Sequence, residues 1–353
     1  MVKRFAFAVP GDLATPTGGY AYDRRMIAEL GDLGWQIDLL DLGDGFPSPD
    51  DATHAAARTR LASVPAGRTI VIDGLALGVL PEAATDLAGR NPLLALVHHP
   101  LALESGLTTA RIEALRRSER AALASVRGVI VTSAATAQLV VSDYGVPAQR
   151  ITVARPGTDR VPPAQSEPTR HGDGVIRLLS VGAVVPRKGF DVLVAALAEL
   201  IDLPWRLTIA GDLTRDCNAA AQLHRDIARH GLGQRIDTLG VVSPERLAAL
   251  YAEADLFVLA SHFEGYGMAY AEAVAHGLPV IGSNAGAIPD TVPRGAGLLV
   301  APGDVSAFAR ALRSVIGDDD LRQRLAAAAR AAAPQLPTWR QSAAIFARAL
   351  ETF

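Results

Sequence analysis

The chain has 353 residues, of which 49% are hydrophobic, and a formal net charge of −3. The length predicts about two domains with sizeable cores, and the charge excludes a general nucleic-acid binder, which carries a basic footprint. One cysteine, Cys217, excludes an internal disulfide and fits a reducing compartment; no Cys/His cluster has zinc-site spacing.

The N-terminal MVKRFAFAVPGD has too short an apolar run for a signal peptide and lacks an A-x-A site, so Phe5–Val9 is predicted as the first strand. No apolar stretch approaches the ~20 residues that cross a bilayer, and the expected location is cytoplasmic. RFAFAV, WQIDLLDL, TIVIDG, LLALVHH and GVIVTS read as strands. Between the first two, TGGYAYDRRMIAELGDLG reads as a glycine-terminated helix, with Tyr22, Met26, Ile27 and Leu30 spaced by three and four. TTARIEALRRSERAALASVRG carries Arg111, Arg116, Arg117, Arg120 and Arg127 against Glu113 and Glu119. Ile112, Leu115, Ala122 and Val126 make a candidate apolar stripe on it. Two readings stay open: a solvated outer helix, or a basic amphipathic helix in peripheral contact with the inner membrane face.

VPPAQSEPTRHGDG, residues 161–174, reads as a linker. The alternation then restarts with VIRLLSVG, RLTIAGD, IDTLGVV, LFVLAS, PVIGSN and GLLVAP as strands and Ala-rich helices between them. Strand–helix alternation implies parallel sheets covered on both faces. The predicted architecture is α/β, with two Rossmann-like, doubly wound parallel-sheet domains at 1–165 and 175–335. A terminal helix at 338–353 is expected to pack back on the first domain. Ligands bind beyond the carboxyl ends of such strands, so a central cleft between the domains is expected to hold the site.

Candidate residues stand just after strands. Gly18 and Gly19 open a helix after the first strand, where backbone N–H groups can approach an anion. Neither a G-x-G-x-x-G fingerprint nor a phosphate loop of the G-x-x-x-x-G-K-[ST] kind is present. His98 and His99 follow LLALV and could donate to a sugar hydroxyl. Arg187 and Lys188 precede a helix and suit a phosphate. FEGYGMAYAEAVAHGLPV holds Glu264 and Glu272 with seven residues between them. Gly265 and Gly267 permit a tight turn, and a helix is predicted to start near Met268, placing Glu272 about 6 Å along its axis. With Glu264 in the turn, both carboxylates can reach one ligand, and vicinal hydroxyls suit such acceptors. The backbone of Gly265, Tyr266, Gly267 and Met268 could hold phosphates.

Together these segments resemble the retaining GT-B glycosyltransferases of family 4, also called group 1. The resemblance runs over most of the chain and is densest from LGVVSPERLAALYAEADLFVLASHFEGYGMAYAEAVAHGLPVIGSNAGAIPD to GLLVAPGD. It implies a GT-B fold, with an acceptor-binding first domain and a nucleotide-sugar-binding second one. It implies retaining transfer from a nucleotide-diphosphate sugar to an acceptor hydroxyl on a glycan, a lipid-linked carrier or a small molecule. By position, Glu264 would bind donor-sugar hydroxyls and Glu272 the ribose diol. Arg187 and Lys188 would neutralise the departing diphosphate. Gly19, with Gly18, would let the donor approach, and His98 would be the cleft histidine, His99 standing in if the register slips. Family frequency favours UDP, with backbone near Val241–Pro244 recognising the base.

The chain departs from the pattern at Pro156-Gly157, where the family has Asn-Gly, at Asp290, where Glu is frequent, and in the shortened PRGAG. No D-x-D site is convincing, and Asp318–Asp320 reads as a solvated helix start, so neither metal nor other cofactor is expected. A sugar-nucleotide epimerase of related fold and a non-catalytic nucleotide-sugar-binding protein are the rival readings.

Overall fold

The computed structural model describes residues 3–161 and 174–353. The chain divides into two compact units, Met1–Gly157 together with Pro337–Phe353, and Thr158–Leu336. The expected linker, but for its two ends, lies outside the described residues. The first unit closes at Gly157, ahead of the expected boundary.

Unit 1 runs β1 (Lys3–Val9), α1 (Gly18–Asp32), β2 (Trp35–Asp41), α2 (Asp51–Ala62), β3 (Ile70–Asp73), α3 (Gly74–Leu77), α4 (Pro81–Ala88), β4 (Leu93–Val97), α5 (Thr109–Ser125), β5 (Gly128–Val131), α6 (Ala134–Tyr144) and β6 (Ile151–Val153). Its sheet has the order β2-β1-β3-β4-β5-β6, parallel throughout. The central strands are buried along their whole length: IVID in β3, LLALV in β4 and GVIV in β5. Parallel strands covered on both faces read as continuous apolar runs, and each buried Val, Ile or Leu contributes about 1.5–3 kcal/mol. The short edge strand β6 is only part-buried and carries no such run, which is why the sequence pattern misses it.

Unit 2 runs β7 (Ile176–Val181), α7 (Phe190–Ala198), β8 (Trp205–Ala210), α8 (Cys217–Arg229), β9 (Ile236–Thr238), α9 (Pro244–Glu253), β10 (Leu256–Leu259), α10 (Met268–Ala275), β11 (Val280–Ser283), α11 (Ile288–Thr291), β12 (Gly297–Val300), α12 (Val305–Gly317) and α13 (Asp319–Ala332). Its order is β12-β11-β10-β7-β8-β9, again all parallel. The strand order reverses between β1 and β3 in unit 1, and between β7 and β10 in unit 2. Those reversals are where open α/β sheets leave room for ligands.

The last helix, α14 (Trp339–Thr352), belongs to unit 1. Thr338 and Gln341 form a capping box at its start. Trp339 packs 6.0 Å from the Tyr22 ring, and Lys3 pairs with Glu351. A Cβ on Gly157 would stand 2.2 Å from Trp339 N, so only glycine lets the returning chain cross here.

The α5 stripe faces inward. Leu115, Ala122 and Val126 are at most 2% exposed, and Ile112 packs against the cluster of Leu101, Ala102 and Leu115. That apolar surface is committed to the protein's own cores and cannot enter a bilayer. The outer face keeps Glu113, Arg116, Arg117 and Arg120 around a cavity of about 190 Å³. Among the described residues no helix is long and apolar enough to cross a membrane. Asp318 caps α13 by accepting from Leu321 N at 2.9 Å, so the acidic run there starts a helix.

Candidate functional site

In unit 2 the loops after β7 and β10 meet at the reversal. Pro186–Lys188 forms one short 3₁₀ turn, and Gly189 follows in the left-handed region with φ +64°. A Cβ on Gly189 would stand 2.1 Å from Ala260 O, at the end of β10. Glycine thus seats the Arg-Lys turn directly on the neighbouring loop. The backbone locks the two together, His262 N donating to Arg187 O at 2.8 Å.

Glu264 sits between the cations. Its Oε1 accepts from Lys188 Nζ at 2.7 Å and from Ser261 Oγ at 2.7 Å, and its Oε2 from Arg187 Nη1 at 3.3 Å. Arg187 Nη1 also donates to Phe263 O at 2.8 Å. Burial by itself would raise the Glu264 pKa. The charges of Lys188 and Arg187, with hydrogen bonds from Lys188 and Ser261, outweigh it and bring the group down to about 2. The sequence treats the acid and the cations as separate grips, and the structure joins them. Ser261 is the partner that sequence reasoning misses; its only signal is its place two residues past β10.

Gly267, with φ +89°, precedes α10 and offers no side-chain cap. The helix starts at Met268, as its sequence predicts. Gly265 is not among the positive-φ glycines, so the turn depends on Gly267. Tyr266 is buried, and its carbonyl accepts from Thr291 Oγ1. One turn on, Glu272 Oε2 accepts from Tyr251 Oη of α9 at 2.9 Å. Burial lifts Glu272 to about 7; the Tyr251 hydroxyl and the charge of Lys188 oppose the rise, and Asp159 adds to it. The two acids therefore have opposite character. Glu264 is held ionised, and Glu272 stands close to the point where it changes charge near neutral pH.

The remaining predicted residues lie in unit 1. Gly18 is the first residue of α1, whose cap Thr17 accepts from Tyr20 N at 3.2 Å. Gly19 lies against His98: an added Cβ would be 3.4 Å from His98 Cδ2. His98 is the first residue after β4, with Nε2 3.3 Å from Asp23 Oδ1 and 3.4 Å from Asp73 Oδ2. His99 goes elsewhere, to Glu104 Oε2 at 3.5 Å. Sequence reasoning misses both aspartates. Asp23 shares a helix face with Met26, Ile27 and Leu30, and a carboxylate on an apolar face was the available signal. Among the described residues, Asp23, Asp73 and His98 are the group whose donor atoms, all within 4.8 Å of one another, have metal-ligand chemistry.

Two family models match successive parts of the chain: Glycosyltransferase Family 4 over residues 74–161 and Glycosyl transferases group 1 over residues 163–332. D-inositol 3-phosphate glycosyltransferase of Nocardia farcinica is 32% identical over 59% of this chain and 49% of its own. This chain spans about half the length of such curated relatives. Sucrose-phosphate synthase from Thermosynechococcus elongatus shares the fold, with a TM-score of 0.80 at 22% identity over 98% of each chain. HepE from Anabaena, solved with UDP-glucose, has a TM-score of 0.77 at 21% identity over 99% of this chain and 100% of its own. Matched by the two models in succession and built as two Rossmann-like units, the chain belongs to the group 1, family 4 glycosyltransferases and has the GT-B fold.

Proposed function

We propose that the protein transfers a sugar from a nucleotide-diphosphate sugar to an acceptor hydroxyl, with retention and without a metal ion. The observation that carries the reading is Glu264 clamped between Lys188 and Arg187 beside the start of α10. Two part-buried cations held on one carboxylate make a site for a stronger anion. A diphosphate entering there takes over the two cations and the first-turn N–H groups of α10. Glu264, released from part of that pairing, turns its oxygens to the hydroxyls of the sugar. Glu272 accepts from the ribose diol. Val241 is 57% exposed and Leu239 42% exposed, just past β9, and they offer an apolar face to a base. The UDP-glucose bound by the Anabaena neighbour favours uracil as that base.

In the transfer step the acceptor oxygen bonds to the anomeric carbon as the carbon–phosphate oxygen bond breaks. The departing phosphate oxygen takes the acceptor's proton on the same face, so the configuration is kept. Fixed positive charge at the leaving group lowers the barrier without reorganising. The first domain is the proposed acceptor side.

A thermal-shift screen with UDP-, GDP-, ADP- and dTDP-sugars, followed by proton NMR of the products, tests this reading. The expected result is a raised Tm with a UDP-sugar and an anomerically retained product that forms equally fast with EDTA present. No shift with any nucleotide sugar contradicts the reading, and epimerisation of a donor incubated alone replaces it with an isomerase.

A further inference from the structure

Tyr251 lies near the end of α9 and is 2% exposed. Its ring stacks on that of His276, the C-cap of α10, at 4.9 Å and 18°, and on that of Phe257 in β10 at 6.2 Å and 26°. Burial lowers His276 to about 4, so near neutral pH its ring is uncharged and packs as an aromatic face. Residues of three elements thus fix where the Tyr251 hydroxyl stands. Two acceptors lie within its reach, Glu272 Oε2 at 2.9 Å and Ala269 O at 3.3 Å. The hydroxyl has one proton to give, and the nearer acceptor, a carboxylate, takes it. Burial and the charge of Glu272 raise the Tyr251 pKa well above its ordinary value, so the hydroxyl remains a donor.

The two oxygens of Glu272 differ in consequence. Oε2 is taken by Tyr251, whereas Oε1 accepts no hydrogen bond from the described residues and is not enclosed. His276 N donates to Glu272 O at 3.0 Å, so the stacking ring and the carboxylate are carried on one turn of α10. A glutamate tethered by one oxygen presents the other in a set direction, and that oxygen has lone pairs for two donors.

We propose that Tyr251 is a positioning residue that holds Glu272 by Oε2 and so aims Oε1 at the 2′- and 3′-hydroxyls of the donor nucleotide, making the site selective for ribonucleotide over 2′-deoxyribonucleotide donors. This role rests on the ribose contact of Glu272 in the proposed function. An acceptor set to receive a hydroxyl rejects an analogue that lacks it, because the acceptor loses water and gains no donor. Donors of the dTDP class lack the 2′-hydroxyl and are disfavoured by their sugar, whatever contact their base makes.

Calorimetry of UDP and 2′-deoxy-UDP with wild type and with Tyr251→Phe tests the role. Phenylalanine keeps the ring and its stacks and removes only the hydroxyl. The wild type is expected to bind UDP about tenfold more tightly than 2′-deoxy-UDP, as one hydrogen bond to a charged group requires. In Tyr251→Phe the ratio should fall to about threefold or less, chiefly through weaker binding of UDP. On a Glu272→Gln background the same substitution should change the ratio no further, because residues that act through one group are not additive. If Tyr251→Phe weakens both ligands by one factor and leaves the ratio as in wild type, the proposal is overturned and the ribose contact of Glu272 stands. Equal affinity of the wild type for the two ligands overturns the ribose contact, and this role with it, and needs no variant to fold. GDP and ADP are compared with their 2′-deoxy forms in the same way, so that the outcome does not hang on the base. Binding of none of the three diphosphates removes the nucleotide-sugar reading and this role together.

Discussion

Each unit carries a charged cluster at its strand-order reversal, and the two clusters have inverse charge patterns. In unit 2 one carboxylate, Glu264, stands between two cations, and each of its oxygens is hydrogen-bonded. In unit 1 one imidazole, His98, stands between two carboxylates, and Asp23 has both oxygens orphaned. The first arrangement carries net positive charge and is satisfied before any ligand arrives. On the proposed function, an anion competes with Glu264 for the cations and so frees an acceptor for hydroxyls. The second is short of positive charge. On the proposed function, only the positively charged cluster of unit 2 suits an anion.

Removing the central acid of unit 2 should have the largest effect. Glu264→Ala leaves Lys188 and Arg187, whose side chains are 15% and 16% exposed, without their carboxylate. Loss of one partner of a buried pair costs about 3–5 kcal/mol, read from urea unfolding at pH 7. Glu264 is lowered in the fold to about 2, so its stabilisation is fully present above the ordinary carboxylate range and is lost as pH falls from there through about 2. The difference between wild type and variant should close at pH 2.

Next in size is the double substitution Arg187→Ala with Lys188→Ala. Loss of a preorganised electrostatic donor costs ~10²–10³-fold in turnover, checked by initial rates with saturating donor. Glu272→Gln should weaken nucleotide binding about tenfold, as loss of a charge-assisted hydrogen bond does. In the wild type Glu272 is raised to about 7, and on the proposed function ribose hydroxyls donate to its ionised form. Affinity should therefore rise as pH climbs through 7, with a proton released on binding, and the variant should lose this dependence. Calorimetry in buffers of different ionisation enthalpy measures both. The smallest effect belongs to the cap of the helix that carries Asp23: Thr17→Ala should cost about 1 kcal/mol in denaturant unfolding.

Much of this was legible in the chain. The apolar runs of β3, β4 and β10 fix their strands, because parallel strands buried on both faces admit no polar alternation. Arg187, Lys188 and Glu264 are visible because charges directly after such runs fall at the strand ends. Their mutual pairing is not, since it depends on β7 and β10 being neighbours, although α7, β8, α8, β9 and α9 lie between them. Asp23 hides for a different reason. Periodicity counts apolar positions, and an acid on the inner face of α1 reads as an interruption until His98 is seen above it. The arginines of α5 mislead in the opposite sense: the stripe beside them is real, but Leu115, Ala122 and Val126 serve the protein's own cores.

Titration calorimetry of UDP into wild type and into the folded Arg187→Ala, Lys188→Ala variant tests the central claim most directly. The account predicts binding to the wild type and affinity lower by at least about tenfold in the variant, as loss of charged hydrogen-bond donors requires. Equal affinity in the two proteins would contradict it.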